Sequence, residues 1–515
     1  MTESRPNPWL TLLVASLGTF MLLLDITVVN VALPDIREDL GASFSDLQWV
    51  VDAYALTLAS VLLMAGSLAD RVGRRRVFNV GLALFVTASV ACGLARDPLA
   101  LELARAAQGI GGAAMFATSL ALIASAFEGP SRGTAFGVWG ASTGLGVAIG
   151  PLIGGLLVAG PGWEWIFFIN VPIGVAVLAV SLRFVAESHM PHARPVDVPG
   201  TLLFTAALAA LVLALIEGGH ESFSKSYVIA LFVAAAVLLA VFVVAQLRER
   251  EPMLPPALFR IPTFIGALVA AFSLSAGMFS LFLLISIYMQ SVLGYDALET
   301  GVRFLPITLA TLVVAPAAGR LSERLPVRAL MSGGLGLVAV GLLLMSRVTA
   351  GDAWTVLLPG FLVAGVGIGL INPPLASTAI GVVHPRDVGM GSGINTTFRQ
   401  VGIATGIAAM GAIFQSRIDS ILGSAIAERP VPGIGTAEDA VSNGAIGALP
   451  PDLRATGTEA FTSAMGDVMQ IGAAITAVAA VLTLALVRRR DFWAVREGTA
   501  QAAPASPAEP APAAN

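Results

Sequence analysis

The chain has 515 residues, of which 56% are hydrophobic and only 12% charged, with a formal net charge of −4 and a mean hydropathy of +0.84. A soluble protein of several domains does not carry that much apolar surface, so the composition excludes it and specifies a chain that crosses a bilayer many times. The single cysteine, Cys92, excludes an internal disulfide and argues against a cysteine-built metal site, and His189 and His192 in the loop HMPHARP have no ligand spacing.

Apolar runs long enough to cross a core of about 30 Å occur near 9–33, 47–69, 77–95, 99–126, 133–159, 163–186, 198–217, 227–247, 263–291, 301–322, 329–346, 354–380, 388–415 and 465–487. Fourteen spans make an all-α polytopic membrane protein with both termini on one face. The first run is too long for a signal-peptide core and lacks a small-residue cleavage site, so it counts as a span. With the termini placed inside and residues at span ends assigned to the adjoining segment, 19 of the 29 basic residues are cytoplasmic, eight are outer and two, Arg105 and Arg399, are deep within spans. The positive-inside rule therefore puts the termini in the cytoplasm, and the arginine, alanine and glycine bias points to a bacterial inner membrane. Residues 416–464 are expected to form a Gly- and Pro-rich outer loop without domain character, and the low-complexity tail 488–515 is expected to be disordered.

The chain is written twice. GSLADRVGRRRVFNVG (66–81) has a degenerate echo in GRLSERLPVRALMSGG (319–334), and glycines 109, 111, 133, 137, 146 and 150 meet glycines 365, 367, 389, 393, 402 and 406 at a constant offset of 256. An offset of that length is eight spans rather than six. Two six-span halves are thus separated by two extra spans: an N-terminal bundle over 1–190, inserted spans over 191–255 and a C-terminal bundle over 256–487. Substrate in such a molecule passes between bundles that rock about a site near the bilayer midplane.

The turn GSLADRVGRRR joins spans two and three. Gly73 permits its reversal. Asp70 faces a helix N-terminus, an expectation that places it near Gly389 to Gly391 at the start of span thirteen, or an arginine; Arg74 to Arg76 face the inner membrane surface. In GVAIGPLIGG, Gly146, Gly150 and Gly154 recur every four residues and line one helix face for close backbone approach, while Pro151 removes a backbone bond and bends the helix. A static seam and a hinge both fit that spacing.

These stretches resemble the major facilitator superfamily. GSLADRVGRRR is similar to its signature turn, with Gly66, Asp70, Arg71, Gly73, Arg74 and Arg75 as the matching gating positions, and LELARAAQGIGGAA (101–114) looks like its fourth-span motif. GVAIGPLIGG, with Gly146, Gly150, Pro151, Gly154 and Gly155, looks like the antiporter-type fifth span. LDITVVNVALP (24–34) and WEWIFFINVPIG (163–174) are similar to motifs of the fourteen-span drug:proton antiporter branch, the EmrB/QacA type. The resemblance implies a major facilitator fold of two six-helix bundles plus two inserted helices, and favours a gating hinge that restricts leak. Glu164 departs from it, since the family more usually has arginine there.

Charges inside the membrane are costly and usually functional. Asp25 lies about 13 Å from the outer end of span one and Arg105 roughly 10 Å along span four, at 1.5 Å per residue. Equal depth predicts a pair, because an unpaired guanidinium cannot discharge itself. A permanent staple between helices and a proton-coupling pair both satisfy that expectation. Asn30, Asp52, Gln108, Asn395, Arg399 and Gln400 are candidates for the substrate cavity, with interhelical hydrogen bonding as the competing role for Arg399 and its neighbours. No acid is counted inside spans nine to fourteen, so rigid dications are not expected as cargo; neutral, zwitterionic, anionic or singly charged lipophiles are.

No G-x-x-x-x-G-K-[ST] loop occurs, so ATP does not drive this chain by itself. The reading is a proton-coupled multidrug or natural-product exporter, not an enzyme, working as a monomer with lipophilic substrate, protons and lipid as partners and without cofactor, metal or nucleic acid. The alternatives are a proton-coupled uptake carrier, opposed by the fifth span, and a membrane sensor or lipid-modifying enzyme, for which no signalling domain or catalytic cluster is present.

Overall fold

The computed structural model describes residues 7–127, 130–188, 196–322, 324–384, 388–431 and 435–493; His189, His192 and most of the C-terminal tail lie outside them. Long apolar runs become helices because a backbone in hydrocarbon must satisfy its own N–H and C=O groups. The first bundle consists of α1 (Pro8–Leu40), α2 (Phe44–Val72), α3 (Arg74–Gly93), α4 (Pro98–Ala126), α5 (Pro130–Ala159) and a sixth span made of α6 (Trp165–Phe168) and α7 (Asn170–Phe184). Two peripheral spans follow, α8 (Val198–Glu217) and α9 (Ser226–Arg248). The second bundle contains α10 (Pro262–Ile287), the pair α11 (Ala297–Arg303) and α12 (Leu305–Leu321), α13 (Val327–Met345), α14 (Leu358–Gly381), α15 (Val388–Leu422) and, after the short helices α16 (Ser424–Ala427) and α17 (Ala437–Ser442), the final span α18 (Arg454–Leu486).

Thirteen of these helical stretches are long and apolar enough to span a bilayer, and α5, bent by 43° between Val138–Gly146 and Ile149–Ala159, brings the total to fourteen. The bend sits one turn before Pro151, where the missing N–H leaves the carbonyl of residue 147 without its helical donor. Below, the terminal face is the one that carries the start of α1 and the end of α18, and the loop face is the opposite one.

The written repeat reappears as repeated contacts. A methyl group placed on Gly111 would lie 2.7 Å from the Gly81 carbonyl oxygen, and one on Gly367 would lie 2.6 Å from that of Gly334. Gly109 likewise meets the Tyr54 carbonyl and Gly365 that of Ile307, each at 2.5 Å; Gly146 meets that of Phe20 at 2.9 Å and Gly402 that of Phe272 at 2.5 Å. The shared glycines are therefore the points at which equivalent helix backbones touch.

The bundles meet unevenly. On one flank α2 runs along α15 and α8 covers both. On the other, α5 joins α11 near the loop face, where methyl groups on Gly155 and Gly301 would strike the Ala297 and Pro151 carbonyls at 2.5 and 2.4 Å. Toward the terminal face Gly140 and Gly144 of α5 and Gly319 of α12 have no neighbour within 4 Å among the described residues.

The long outer loop differs from expectation. Helix α15 continues to Leu422 and α18 begins at Arg454, so only residues 423–453 are outside the spans. They fold as α16, a two-stranded antiparallel ladder of β1 (Pro430–Val431) and β2 (Gly435–Thr436), and α17, which starts on a capping box between Thr436 and Asp439. Val431, Ala437, Ala440, Val441 and Leu449 are buried beneath it. Apolar residues spaced among the glycines and prolines pack this segment onto the main apolar core of the molecule, which glycine and proline content alone conceals. Arg37 at the end of α1 donates to the Asn443 carbonyl, tying the cap to the first bundle.

Candidate functional site

Asp25 and Arg105 meet inside the first bundle. Both are 1% exposed, and Arg105 Nη1 donates to Asp25 Oδ2 at 2.5 Å. The other carboxylate oxygen accepts from Gln108 Nε2 at 2.8 Å and from Asn170 Nδ2 at 3.2 Å. Arg105 also donates from Nη1 to Gln108 Oε1 at 2.6 Å and from Nε to the Val50 carbonyl at 3.0 Å, with its guanidinium carbon 4.4 Å from the centre of the Tyr54 ring. Ser89 Oγ accepts from Gln108 Nε2 at 2.8 Å and from Asn170 Nδ2 at 3.3 Å. Helices α1, α2, α3, α4 and α7 thus converge on one ion pair.

The local sequence explains the convergence. Gln108 follows Arg105 by three residues and shares its helix face. Asn170 opens α7 just after the break at Ile169, so its amide is directed inward at the joint between α6 and α7. Gln108 was expected in the substrate cavity, but it is fully buried and serves the pair instead. Neither Ser89 nor Asn170 was anticipated; Asn170 stands in WEWIFFINVPIG, whereas no sequence pattern marks Ser89.

The remaining cavity candidates separate. Asn30 donates to the Ile26 carbonyl of its own helix at 3.0 Å and lines a small cavity with Thr27, Pro151, Phe282, Phe304 and Thr308, between the bundles. Asp52 departs from expectation: it is fully buried, and neither carboxylate oxygen has a partner among the described residues. It lies on the face of α2 that meets α15, between Gln48, whose Nε2 donates to the Ile407 carbonyl at 2.9 Å, and Ala59, whose carbonyl accepts from Thr397 Oγ1 at 3.4 Å. That is the seam between bundles, not a cavity wall. Asn395 and Gln400 are buried on α15, and Arg399 is partly exposed between them. Asp467, inside the last apolar run, breaks the expectation that spans nine to fourteen hold no acid; Arg417 neutralises it at 2.6 Å.

At the turn between α2 and α3, Gly73 has φ of +123°, a conformation that a side chain strains to adopt. Asp70 Oδ1 accepts from Arg74 Nε at 2.9 Å and from Nη2 at 2.8 Å, so of the two partners expected for Asp70 the structure shows the arginine. Residues 385–387, just before α15, are outside the described residues. Arg74 and Arg75 do not simply face the membrane surface, because their Nη1 atoms donate to the Ala121 carbonyl at 3.3 Å and the Val185 carbonyl at 2.9 Å. Arg71 and Arg76 are exposed, and Gly66 packs 3.9 Å from Ala117. Glu187, at the end of the sixth span, accepts from the backbone N–H groups of Arg75 and Arg76 at 2.9 and 3.2 Å. It supplies the first-turn acceptor that the α3 N-terminus otherwise lacks.

The α5 glycines form the seam expected of them, and α1 is the neighbour. A methyl group on Gly146 would meet the Phe20 carbonyl, one on Gly150 would meet Thr27 Oγ1 at 1.8 Å, and one on Gly154 would meet the Val28 carbonyl at 2.9 Å. Gly155 turns the other way, onto α11.

Comparison with known proteins agrees with this architecture. The chain is 38% identical over 424 residues to the multidrug resistance protein Stp of Mycobacterium tuberculosis, covering 82% of this chain and 79% of that one. It is 33% identical over 497 residues to the tetracenomycin C resistance and export protein of Streptomyces glaucescens, covering 93% and 92%. A bacterial homologue of the human lysosomal transporter Spinster, solved in an inward-facing conformation, shares the fold with a TM-score of 0.64 at 16% identity, over 95% of this chain and 99% of that one. The Major Facilitator Superfamily model matches residues 15–407. With fourteen spans, repeated glycine contacts between equivalent helices and a pair of peripheral spans, the chain belongs to the major facilitator superfamily of membrane transporters.

Proposed function

We propose that this protein is a proton-driven exporter of lipophilic small molecules of the drug or natural-product kind. It works as a monomer in a bacterial inner membrane with both termini in the cytoplasm. The relatives named for multidrug resistance and for tetracenomycin C export support the cargo class. In this reading residues 1–190 and 256–487 are the moving bundles and 191–255 the inserted pair.

The observation that carries the proposal is the Asp25–Arg105 pair, sealed from solvent and aimed at by three donors. A proton added to Asp25 converts an acceptor oxygen into an O–H donor, so at least one of those contacts breaks and Arg105 loses its counter-charge. Proton occupancy and helix packing are thereby linked. In the cycle, Asp25 loads a proton from outside and releases it inside, and its charge state decides whether the bundles hold substrate.

Asp25→Asn fixes the neutral form and is expected to abolish uphill export in proteoliposomes while downhill exchange survives. Substrate-induced proton flux that persists in Asp25→Asn removes Asp25 from the coupling role. A permanent staple predicts a different outcome: less folded protein, with coupling intact in the molecules that remain.

A further inference from the structure

Arg399 is the one arginine deep within a span, away from either helix end, that has no partner among the described residues. Arg105 has Asp25, and Arg417, at the loop end of α15, has Asp467. Arg399 has no hydrogen-bond acceptor, carboxylate or aromatic face among the described residues, although its guanidinium presents five donors and stays charged at any physiological pH. An unanswered guanidinium at mid-span is too costly to be incidental.

Its direction follows from the helix around it. Gly402 packs on the Phe272 backbone of α10, while Gly393 packs on Leu63 of α2. At 100° per residue Arg399 lies about 60° from Gly402 and about 120° from Gly393, in the arc between α10 and α2. The inserted pair is on the far side of α15, where Gly219 packs on Ala412; on that side too the Phe398 ring lies 6.3 Å from that of Phe259, in the segment leading into α10. Arg399 therefore faces the seam where the two bundles oppose each other, and it keeps partial exposure there.

Asp52 does not serve as its partner. That carboxylate is fully buried between Gln48 and Ala59, opposite the Ala404 level of α15, about 140° round the helix from Arg399. One turn below Arg399, Asn395 is buried with its amide oxygen unpartnered among the described residues, an acceptor that a bound molecule's N–H or O–H would satisfy.

We propose that Arg399 is the counter-charge for an anionic oxygen of the transported molecule, a carboxylate or phenolate, with Asn395 accepting from a hydroxyl or amide beside it. The inference rests on the export reading and narrows its cargo to amphipathic weak acids. Because Asp25 and Arg105 neutralise each other and Asp52 lies on another side of α15, the positive charge of Arg399 is unmatched at its own place in the seam, and a fork of guanidinium donors matches two oxygens at once.

The test uses the purified full chain in nanodiscs and three probes of one shape: 4-(pyren-1-yl)butanoate, its neutral amide and 4-(pyren-1-yl)butylammonium. The butanoate is expected to bind about tenfold tighter than the amide and more so than the ammonium, as charge-assisted bonding requires. Arg399→Gln should bring the butanoate to the affinity of the amide and leave the amide unchanged, while Arg399→Lys recovers part of the difference. If the Gln variant does not insert, the ranking of the three probes on the wild-type chain decides. Equal affinities, a preference for the ammonium, no butanoate binding to folded wild type, or an unaltered butanoate affinity in Arg399→Gln overturns the assignment. Binding is read without a gradient, so these outcomes are separate from any failure of proton-driven export. Export restricted to cations in an efflux panel would overturn the subsite with the export reading intact.

Discussion

Gly150→Ala is the sharpest probe of the α1–α5 seam. The added methyl would lie 1.8 Å from Thr27 Oγ1 and 2.7 Å from Thr27 Cβ. A rotamer change moves the first atom but not the second, so the helices must part or tilt. Overpacking of this kind costs about 1–3 kcal/mol, against which the helical preference for alanine over glycine returns roughly 0.5–1 kcal/mol. With a Cβ involved the upper part of the range applies, and the net loss is about 1–2 kcal/mol. Gly144→Ala, six residues away on the same helix, meets nothing within 4 Å among the described residues and keeps only the gain. In detergent, thermal inactivation followed by loss of the monodisperse peak should place Gly150→Ala below wild type and Gly144→Ala at or above it. Adding Thr27→Ala to Gly150→Ala should recover part of the loss, since it removes the nearer atom. If the seam is also a gating hinge, Gly150→Ala raises passive substrate leak through reconstituted protein. Equal thermal stability of the two single variants would refute the packing argument, and unaltered leak would reduce the seam to static packing.

At the α2–α3 turn, the Asp70–Arg74 pair is partly solvent-exposed and contributes under about 1 kcal/mol, so Asp70→Asn should insert normally, still bind substrate, and yet transport at least several-fold more slowly if the turn gates the terminal face; wild-type transport in that variant would refute the gate. In the outer cap, burial and the neighbouring carboxylates of Asp419 and Asp439 push Glu438 up to about 7. A carboxyl whose folded pKa is raised favours the folded cap while protonated, so cap stability is present at low pH and falls as pH rises from about 4.5 through about 7. The protection of residues 437–453 against hydrogen exchange, with the base-catalysed intrinsic rate divided out, should therefore fall between pH 5 and pH 8, and Glu438→Gln should flatten that fall; an equal slope in the variant would rule Glu438 out as its source.

Much of this molecule is legible without a structure, because the constraints involved are local or absolute. A bilayer core demands a fixed length of apolar helix, so each of the fourteen spans is visible as a run in the sequence, and its helix overlaps the expected segment. The glycine repeat is visible because close backbone approach tolerates no side chain, whatever surrounds it. Asp25 and Arg105 are visible as a pair because neither charge is tolerable alone at that depth. Azimuth is different, since the face that a residue turns to its neighbours depends on how helices far apart in the chain are assembled. Gln108 thus belongs to the ion pair instead of the cavity, Asp52 to the seam between bundles, and Ser89, Asn170 and Glu187 to contacts that no spacing announces. The cap over residues 423–453 is hidden for a related reason: Val431, Val441 and Leu449 are buried because the segment folds back onto the apolar core of the bundles, and glycine and proline frequency carries no record of that meeting. Arg399 is recognisable as a charge within a span, but its lack of a partner among the described residues is a property of the assembled bundle, because only the positions of all the surrounding helices determine which acids come within reach of it.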